Sequence, residues 1–300
     1  MEYWQFLFYF SFLVLILGLL YRIIRLIRMP LHLRWELYPV PHEKDRKKYG
    51  GSYYEELDWW TKRRDFSLIS EISEMSREIF LIHSLFKNNR LLWLFSFPFH
   101  IGMYFLTGFI ALLLVGVFVD SAGWYSSITV TAGIVGALLG TLGGLGLFIS
   151  RLLKDELRRY SVRTDYFNLL LLLSIFISLL IALFAFDRSG NAHFAMARQL
   201  ARFAPAPELP SIMKAEMILT AVFFLYLPFT HMTHFVGKFF TYHKVRWEDH
   251  PNIRGSKIEK AVAEYLGYKL SWSAPHIKAG TSWAEAVSGD SNDSEKGKKS

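Results

Sequence analysis

Three histidines lie in long stretches that contain no acidic or basic residue, and their side chains could bind a metal. His100 comes ten residues after Arg90, and His231 and His234 come shortly before Lys238. Burying an ionisable side chain in an apolar span is costly, so such a residue marks a functional site. Two imidazoles from different helices can bind one haem iron from opposite faces, which favours electron transfer over oxygen chemistry. The pattern favours a haem b ligated by His100 and His234.

The remaining candidates have more than one interpretation. His231 and His234 are three residues apart and project about 60° from each other on a helix, so they cannot serve opposite faces of one haem. We therefore interpret His231 as a second-haem ligand, a propionate partner or a quinone-site donor. Lys238 is a candidate for a quinone or propionate, and His83 for a quinone site or for a pair with His231. Any single histidine could instead only hydrogen-bond a neighbouring helix.

The elements that must position these side chains are long and apolar. About 20 apolar residues cross a bilayer as a helix, and five stretches without Asp, Glu, Lys or Arg meet that length: 3–21, 91–119, 121–150, 166–186 and 217–237. The predicted fold is all-α, a polytopic membrane protein built on a five-helix transmembrane bundle. The first stretch has no basic leader and is followed by arginines, so we interpret it as a retained helix rather than a signal peptide.

The chain is expected to divide at the ends of these stretches. We predict a first transmembrane helix over 1–28 and a cytoplasmic segment over 29–90, where an amphipathic run (68–86) lies along the membrane surface or packs on a partner. Helices two to five, over 91–245, form the haem-binding core. A cytoplasmic tail follows over 246–300, with a short helix near 257–265 and a disordered end. The outer segment 187–214, which contains His193, is predicted to be a connecting loop.

The basic residues predict an orientation. Of the 34 Lys and Arg residues, 30 lie in segments 22–90, 151–165 and 238–300. Basic residues accumulate on the cytoplasmic side, so we expect the N-terminus outside and the C-terminus in the cytoplasm of a prokaryotic inner membrane. Topology accounts for the net charge of +8, and nucleic acid is not expected as a partner.

The chain contains no cysteine. This excludes an iron–sulfur cluster bound through thiolates and a haem attached through a C-x-x-C-H motif. A redox function would therefore need non-covalent haem b, and any iron–sulfur chemistry would come from a partner subunit.

Glycines also lie close to the histidines. Gly102 and Gly108 remove side-chain bulk near His100, where a porphyrin would lie. In the third stretch, five glycines form a small-x-x-x-small face that favours helix packing over phosphate binding: Gly136, Gly140, Gly143, Gly144 and Gly146.

Two motifs carry a resemblance to a known family. They are Phe97-Pro98-Phe99-His100-Ile101-Gly102 and Leu227-Pro228-Phe229-Thr230-His231-Met232-Thr233-His234. With five helices, the chain resembles the cytochrome b (gamma) subunit of respiratory nitrate reductase over roughly 1–28 and 91–245. Segments 29–39, 239–247 and 272–276 resemble the branch found beside heterodisulfide-reductase-like iron–sulfur proteins in sulfate- and metal-reducing bacteria.

The resemblance implies cofactors and partners. It implies haem b ligated by His100 and His234, menaquinone as substrate, and a heterodisulfide-reductase-like iron–sulfur partner. It leaves open a multihaem cytochrome c as an outer partner.

The family's second, outer haem would need histidines near Ile110 and Glu216, and neither is present. Met103, Met217 and Glu216 are poor substitutes, and His193 would have to fold in from the loop. One haem is therefore supported, and a second stays open.

The function that we expect is electron transfer between the menaquinone pool and a cytoplasmic iron–sulfur subunit. The chain would be a redox subunit of a membrane quinone oxidoreductase complex rather than a stand-alone enzyme. Two alternatives remain: a metal transporter that uses His100, His231 and His234 as a transition-metal site, and a structural membrane anchor without haem.

Overall fold

The structure is a computed structural model of the chain, and it describes residues 2–29, 40–43, 52–63, 66–119 and 123–288. The predicted disordered end of the tail (289–300) and most of the family-like segment 29–39 lie outside these residues. In the described part, regular structure is helical apart from two isolated bridges, Lys269–Ser282 and Ala274–Ile277. The predicted all-α fold is confirmed.

The α-helices of the described residues are α1 (Tyr3–Ile27), α2 (Leu68–Phe80), α3 (His83–Asn88), α4 (Arg90–Val115), α5 (Trp124–Leu153), α6 (Asp155–Tyr160), α7 (Arg163–Ile181), α8 (Asn191–Ala201), α9 (Ser211–Tyr226), α10 (His234–Thr241), α11 (Lys257–Leu266) and α12 (Trp283–Ser288). Helix α11 covers the predicted tail helix.

Among the residues that the structure describes, five helical segments are long and apolar enough to cross a bilayer, as the hydropathy pattern predicts. They are Tyr3–Ile27, Arg90–Val115, Trp124–Leu153, Arg163–Phe186 and Ser211–Phe229. The fourth includes a π-helical turn after α7, and the fifth a 3₁₀ turn after α9. The chain is a polytopic membrane protein.

The backbone forms two compact units, 1–22 with 72–234, and 23–71 with 235–300. In the first unit, α4 packs most closely on α5, α5 on α7, and α7 on α9. The α4–α5 contact depends on glycine. A Cβ at Gly102 would lie 2.4 Å from the Gly140 nitrogen, and one at Gly143 would lie 2.4 Å from the Phe99 nitrogen.

The glycine face of the third stretch therefore packs helices, as predicted. Gly102 was expected to leave space for a porphyrin. In the structure the space beside it is filled by the backbone of α5. Gly108 has open space, with no atom within 4 Å of an added Cβ.

The fifth apolar stretch ends earlier than the sequence predicts. After α9 comes the short 3₁₀ turn Leu227–Phe229, which contains Pro228, and then Thr230 in an extended conformation. Proline lacks an N–H and its ring clashes with the preceding turn, so it kinks or ends a helix, and here the helix ends. A second 3₁₀ turn, His231–Thr233, precedes α10. His231 and His234 therefore follow the fifth span rather than lying within it.

The amphipathic run is two helices rather than one. It breaks between α2 and α3 at Ile82, whose φ is 48°. The Trp93 indole donates a hydrogen bond to the Leu81 carbonyl, and the Tyr104 hydroxyl donates one to the Ile79 carbonyl. The end of α2 thus packs on α4 of the same chain.

Candidate functional site

His100 is held by the helix on which it lies. Its Nδ1 is 2.7 Å from the Ser96 carbonyl oxygen, one turn earlier on α4. Because a carbonyl can only accept, Nδ1 donates and Nε2 carries the lone pair of the neutral ring. A metal-binding histidine usually donates its other nitrogen to a carbonyl or carboxylate in this way, which fixes the ring and its tautomer.

His234 is held by an irregular turn instead. It opens α10 directly after the break at Pro228. The buried Thr230 accepts a hydrogen bond from the Met232 nitrogen, and the buried Thr233 hydroxyl donates one to the Thr230 carbonyl. These two threonines satisfy backbone groups that a continuous helix would otherwise pair, and they set the direction in which His234 leaves the turn.

The two predicted ligands lie beside each other. The ring centroids of His100 and His234 are 6.3 Å apart, with their planes at 71°. An imidazole nitrogen binds a metal such as zinc at about 2 Å, so two rings that share one metal have centroids about 6 Å apart. The spacing and the Nδ1 hydrogen bond of His100 therefore fit a bis-histidine iron.

The two spans next to these histidines are not packed directly on each other. Over the residues that the structure describes, α4, which carries His100, packs on α5, and α9, which precedes the turn before His234, packs on α7, whereas α4 and α9 make almost no close backbone approach. A planar group held edge-on needs such a separation, because helices in close contact would exclude it.

The other candidates have different surroundings. His231 is 67% exposed, and its Nε2 is 3.5 Å from Asp165 Oδ1. His83 is half-buried at the start of α3, and in the described part of the chain it has no hydrogen bond or ring contact with His231. Lys238 belongs to the second unit, where its ammonium lies 5.8 Å from the Tyr242 ring centroid.

A group that sequence reasoning missed lies at the other end of the first unit. The predicted loop 187–214 contains α8, and His193 on this helix is fully buried. Its Nδ1 is 2.7 Å from Asp187 Oδ2, and its Nε2 is 3.5 Å from Glu216 Oε2. The ring also packs edge-on against Phe109 of α4, with centroids 5.6 Å apart.

These contacts hold His193 in its charged form. Burial opposes the charge, but the hydrogen bond to Asp187 and the nearby Glu216 carboxylate raise the pKa of His193 to about 9. Burial likewise opposes the charge of Asp187, yet hydrogen bonds from His193 lower the pKa of that carboxyl overall. One residue could have drawn attention to this group. In the structure the fifth span begins at Ser211, so Glu216 is a carboxylate within a span, where a charged side chain is costly.

The second unit has its own buried polar group. His42 Nδ1 is 2.9 Å from Glu71 Oε1, and its Nε2 is 2.6 Å from Asp249 Oδ2. Burial opposes the charge, but the hydrogen bonds to Asp249 and Glu71 raise the pKa of His42. The adjacent Glu43 is also buried and accepts from the Ser52 hydroxyl. These contacts fasten three distant parts of the chain together within this unit.

The alternative of a metal transporter would use His100, His231 and His234 as one transition-metal site. In the described ranges, clusters of three or more side chains that could ligate a metal ion occur around Asp249: His42 with Glu43, and Glu248 with His250. None of these includes His100, His231 or His234.

Comparison with known proteins gives the family. The chain matches the nitrate reductase gamma subunit family over residues 82–248, more than half of its length. No curated protein sequence matches it. The matched region contains spans two to five and all five candidate residues: His83, His100, His231, His234 and Lys238. The chain therefore belongs to the nitrate reductase gamma subunit family, a family of haem b-binding membrane cytochromes that work with other redox subunits.

Proposed function

We propose that this chain carries electrons between the menaquinone pool and a cytoplasmic iron–sulfur subunit, with haem b held by His100 and His234. The observation that carries the proposal is the facing pair of imidazoles, 6.3 Å apart between centroids. Their separation suits one iron, and they come from two segments that are not in close backbone contact. The absence of cysteine is consistent with a haem that is bound without a covalent link.

The bound haem would supply a one-electron carrier, which the side chains of this protein cannot provide. The chain's own residues hold that carrier in place. The Ser96 carbonyl fixes the tautomer and orientation of His100, and Thr230 and Thr233 fix the turn that presents His234. Hydrogen bonds that orient a ligand in this way also tune the metal that it binds.

His231 suits a proton-exchanging role better than iron ligation. Its Nε2 is directed at Asp165, so this nitrogen is placed to pass a proton between the carboxylate and a neighbouring group. Oxidising a quinol releases two protons as well as two electrons, and a group that accepts those protons must lie at the quinone. We assign His231 to a quinone or haem-propionate contact, with Lys238 and His83 as the remaining candidates.

Exposed aromatic side chains in the second unit suit a protein partner. Trp60 is 56% exposed, Trp272 is 45% exposed and Trp283 is 41% exposed. Tryptophan is enriched among residues that dominate binding energy at interfaces. We assign these side chains to docking a heterodisulfide-reductase-like iron–sulfur subunit in the cytoplasm. The cytoplasmic location is part of this proposal, which has the N-terminus outside in a prokaryotic inner membrane, and the distribution of basic residues supports it.

The optical spectrum of the purified protein tests the proposal. We expect a reduced-minus-oxidised difference spectrum of b type, and reduction of the haem on addition of a menaquinol analogue. A colourless protein would leave the structural anchor as the better explanation. A b-type spectrum that no quinol can reduce would retain the haem and reject menaquinone as the donor.

A further inference from the structure

The outer end of the first unit lacks the histidines that would bind a second haem. A buried group of charged side chains around His193 lies there instead. Such a haem would lie between spans two and five at the level of Ile110 and Glu216. Position 110 is an isoleucine that is 39% exposed, and its neighbour Phe109 faces inward and is 2% exposed. Phe109 follows His100 by nine residues, or about 14 Å along α4.

His193 reaches this level from α8. Its ring contacts Phe109 of span two at 5.6 Å between centroids, and its Nε2 lies 3.5 Å from the Glu216 carboxylate of span five. The imidazole therefore bridges the two spans between which a porphyrin would have to lie. Asp187 closes the arrangement, because it accepts hydrogen bonds from both the ring Nδ1 and the backbone nitrogen of His193.

The surroundings of this triad are close-packed. Phe194 is 1% exposed, and Leu183 and Met213 are fully buried. Leu183 and Phe194 belong to one buried apolar cluster with Phe109, and Met213 belongs to a second cluster. A porphyrin at this level would have to displace several of these side chains.

The chemistry of the ring also opposes iron ligation. Each imidazole nitrogen lies within 3.5 Å of a carboxylate oxygen, although Nε2 makes no hydrogen bond in the described part of the chain. Burial opposes the charge, but the two carboxylates raise the pKa of the ring to about 9, which favours protons on both nitrogens. A protonated imidazole has no lone pair to give to a metal. His193 is thus the imidazole nearest to the expected outer position and is unsuited to bind iron there.

We propose that this chain holds a single haem, because a buried Asp187–His193–Glu216 ion triad fills the place of an outer haem and ties α8 to span five. This inference rests on the proposed function for the haem at His100 and His234. It concerns the second, outer haem that the sequence leaves open.

Haem stoichiometry tests the inference on the unmodified protein. The pyridine haemochrome assay on the purified full chain should give one haem per chain, and a potentiometric titration should show a single midpoint. Two haems per chain would overturn this inference and leave the proposed function intact. A protein without haem would overturn the proposed function itself, so the two failures are distinguishable.

Two variants test whether His193 belongs to an ion triad or is a haem ligand. His193→Gln and Glu216→Gln should each keep one haem per chain, with an unchanged haem spectrum. If His193→Gln alone loses haem or changes the haem spectrum, then His193 is an axial ligand and the inference is overturned. Because a destabilised variant could also lose haem, each is compared with wild type by thermal unfolding.

The pH dependence of unfolding distinguishes an ion triad from uncharged packing, because only charged groups make the stability change with pH. Asp187 and Glu216 are the two charged groups in contact with the ring in the described part of the chain. The pKa of His193 is raised on folding, so its stabilising effect is complete below about pH 6.5 and is lost as pH rises through about 9. The difference in Tm between wild type and His193→Gln should shrink over that interval. A difference that stays constant would contradict the ion triad.

Discussion

His100 lies on a regular helix and His234 follows an irregular turn. The surroundings of His100 could therefore be predicted from the sequence better than those of His234. The i−4 carbonyl of Ser96 orients the ring of His100. An uncharged span with one internal histidine was enough to make it a candidate ligand. His234 lies after a chain break that two threonines stabilise. Hydropathy could not reveal that break, because Pro228 and Thr230 lie within a continuous apolar stretch.

The first prediction concerns the two ligands. His100→Ala and His234→Ala should each abolish haem binding, because removing one axial imidazole leaves the iron without one of its two protein ligands. Haem content per chain, measured by pyridine haemochrome, checks this. His276→Ala serves as the matched control, since His276 is an exposed residue of the tail.

The variant His231→Ala tests whether His231 is a haem ligand. The variant should retain the full haem content, while its rate of haem reduction by a menaquinol analogue falls. If His231→Ala loses the haem and His234→Ala keeps it, then the axial assignment is wrong.

At the scale of elements, α1 supports the turn that carries His234. A Cβ at Gly18 would lie 2.5 Å from the Pro228 Cβ, and the Arg22 guanidinium donates to the Pro228 carbonyl. The close approach needs glycine, because any side chain would meet the proline ring. The arginine satisfies a carbonyl that the broken helix leaves unpaired. Span one therefore contributes to the proposed haem site without supplying a ligand.

The second prediction follows from that contact. Gly18→Leu should displace Pro228 and lower haem occupancy, and overpacking of this kind costs about 1–3 kcal/mol of stability. Haem content and thermal unfolding measure the two effects. Leu17→Phe is the control, since Leu17 is 57% exposed and its side chain has room to grow. Equal haem content in Gly18→Leu and wild type would mean that α1 does not position the turn.

At the scale of the whole molecule, the length and number of the spans were predictable and the polar groups between them were not. Five apolar stretches are sufficient for an all-α bundle, because a lipid-exposed segment must pair its own backbone groups. The Asp187–His193–Glu216 triad depends on α8 folding back into the bundle, and the His42–Glu71–Asp249 contacts join residues up to 207 positions apart. Neither leaves a periodic pattern in the sequence.

The last prediction concerns orientation, and the absence of cysteine makes it easy to test. Because the wild-type chain has no thiol, a single introduced cysteine is the only site in it for a maleimide. Ser84, Ser189 and Ser288 are exposed and lie in three different segments outside the spans. The distribution of basic residues predicts that position 189 is outside and positions 84 and 288 are cytoplasmic. In right-side-out spheroplasts, a membrane-impermeant maleimide should therefore label Ser189→Cys at once, and label Ser84→Cys and Ser288→Cys only after permeabilisation. The reverse pattern would place the His100–His234 pair in the outer half of the membrane, where an iron–sulfur partner in the cytoplasm could not receive its electrons directly.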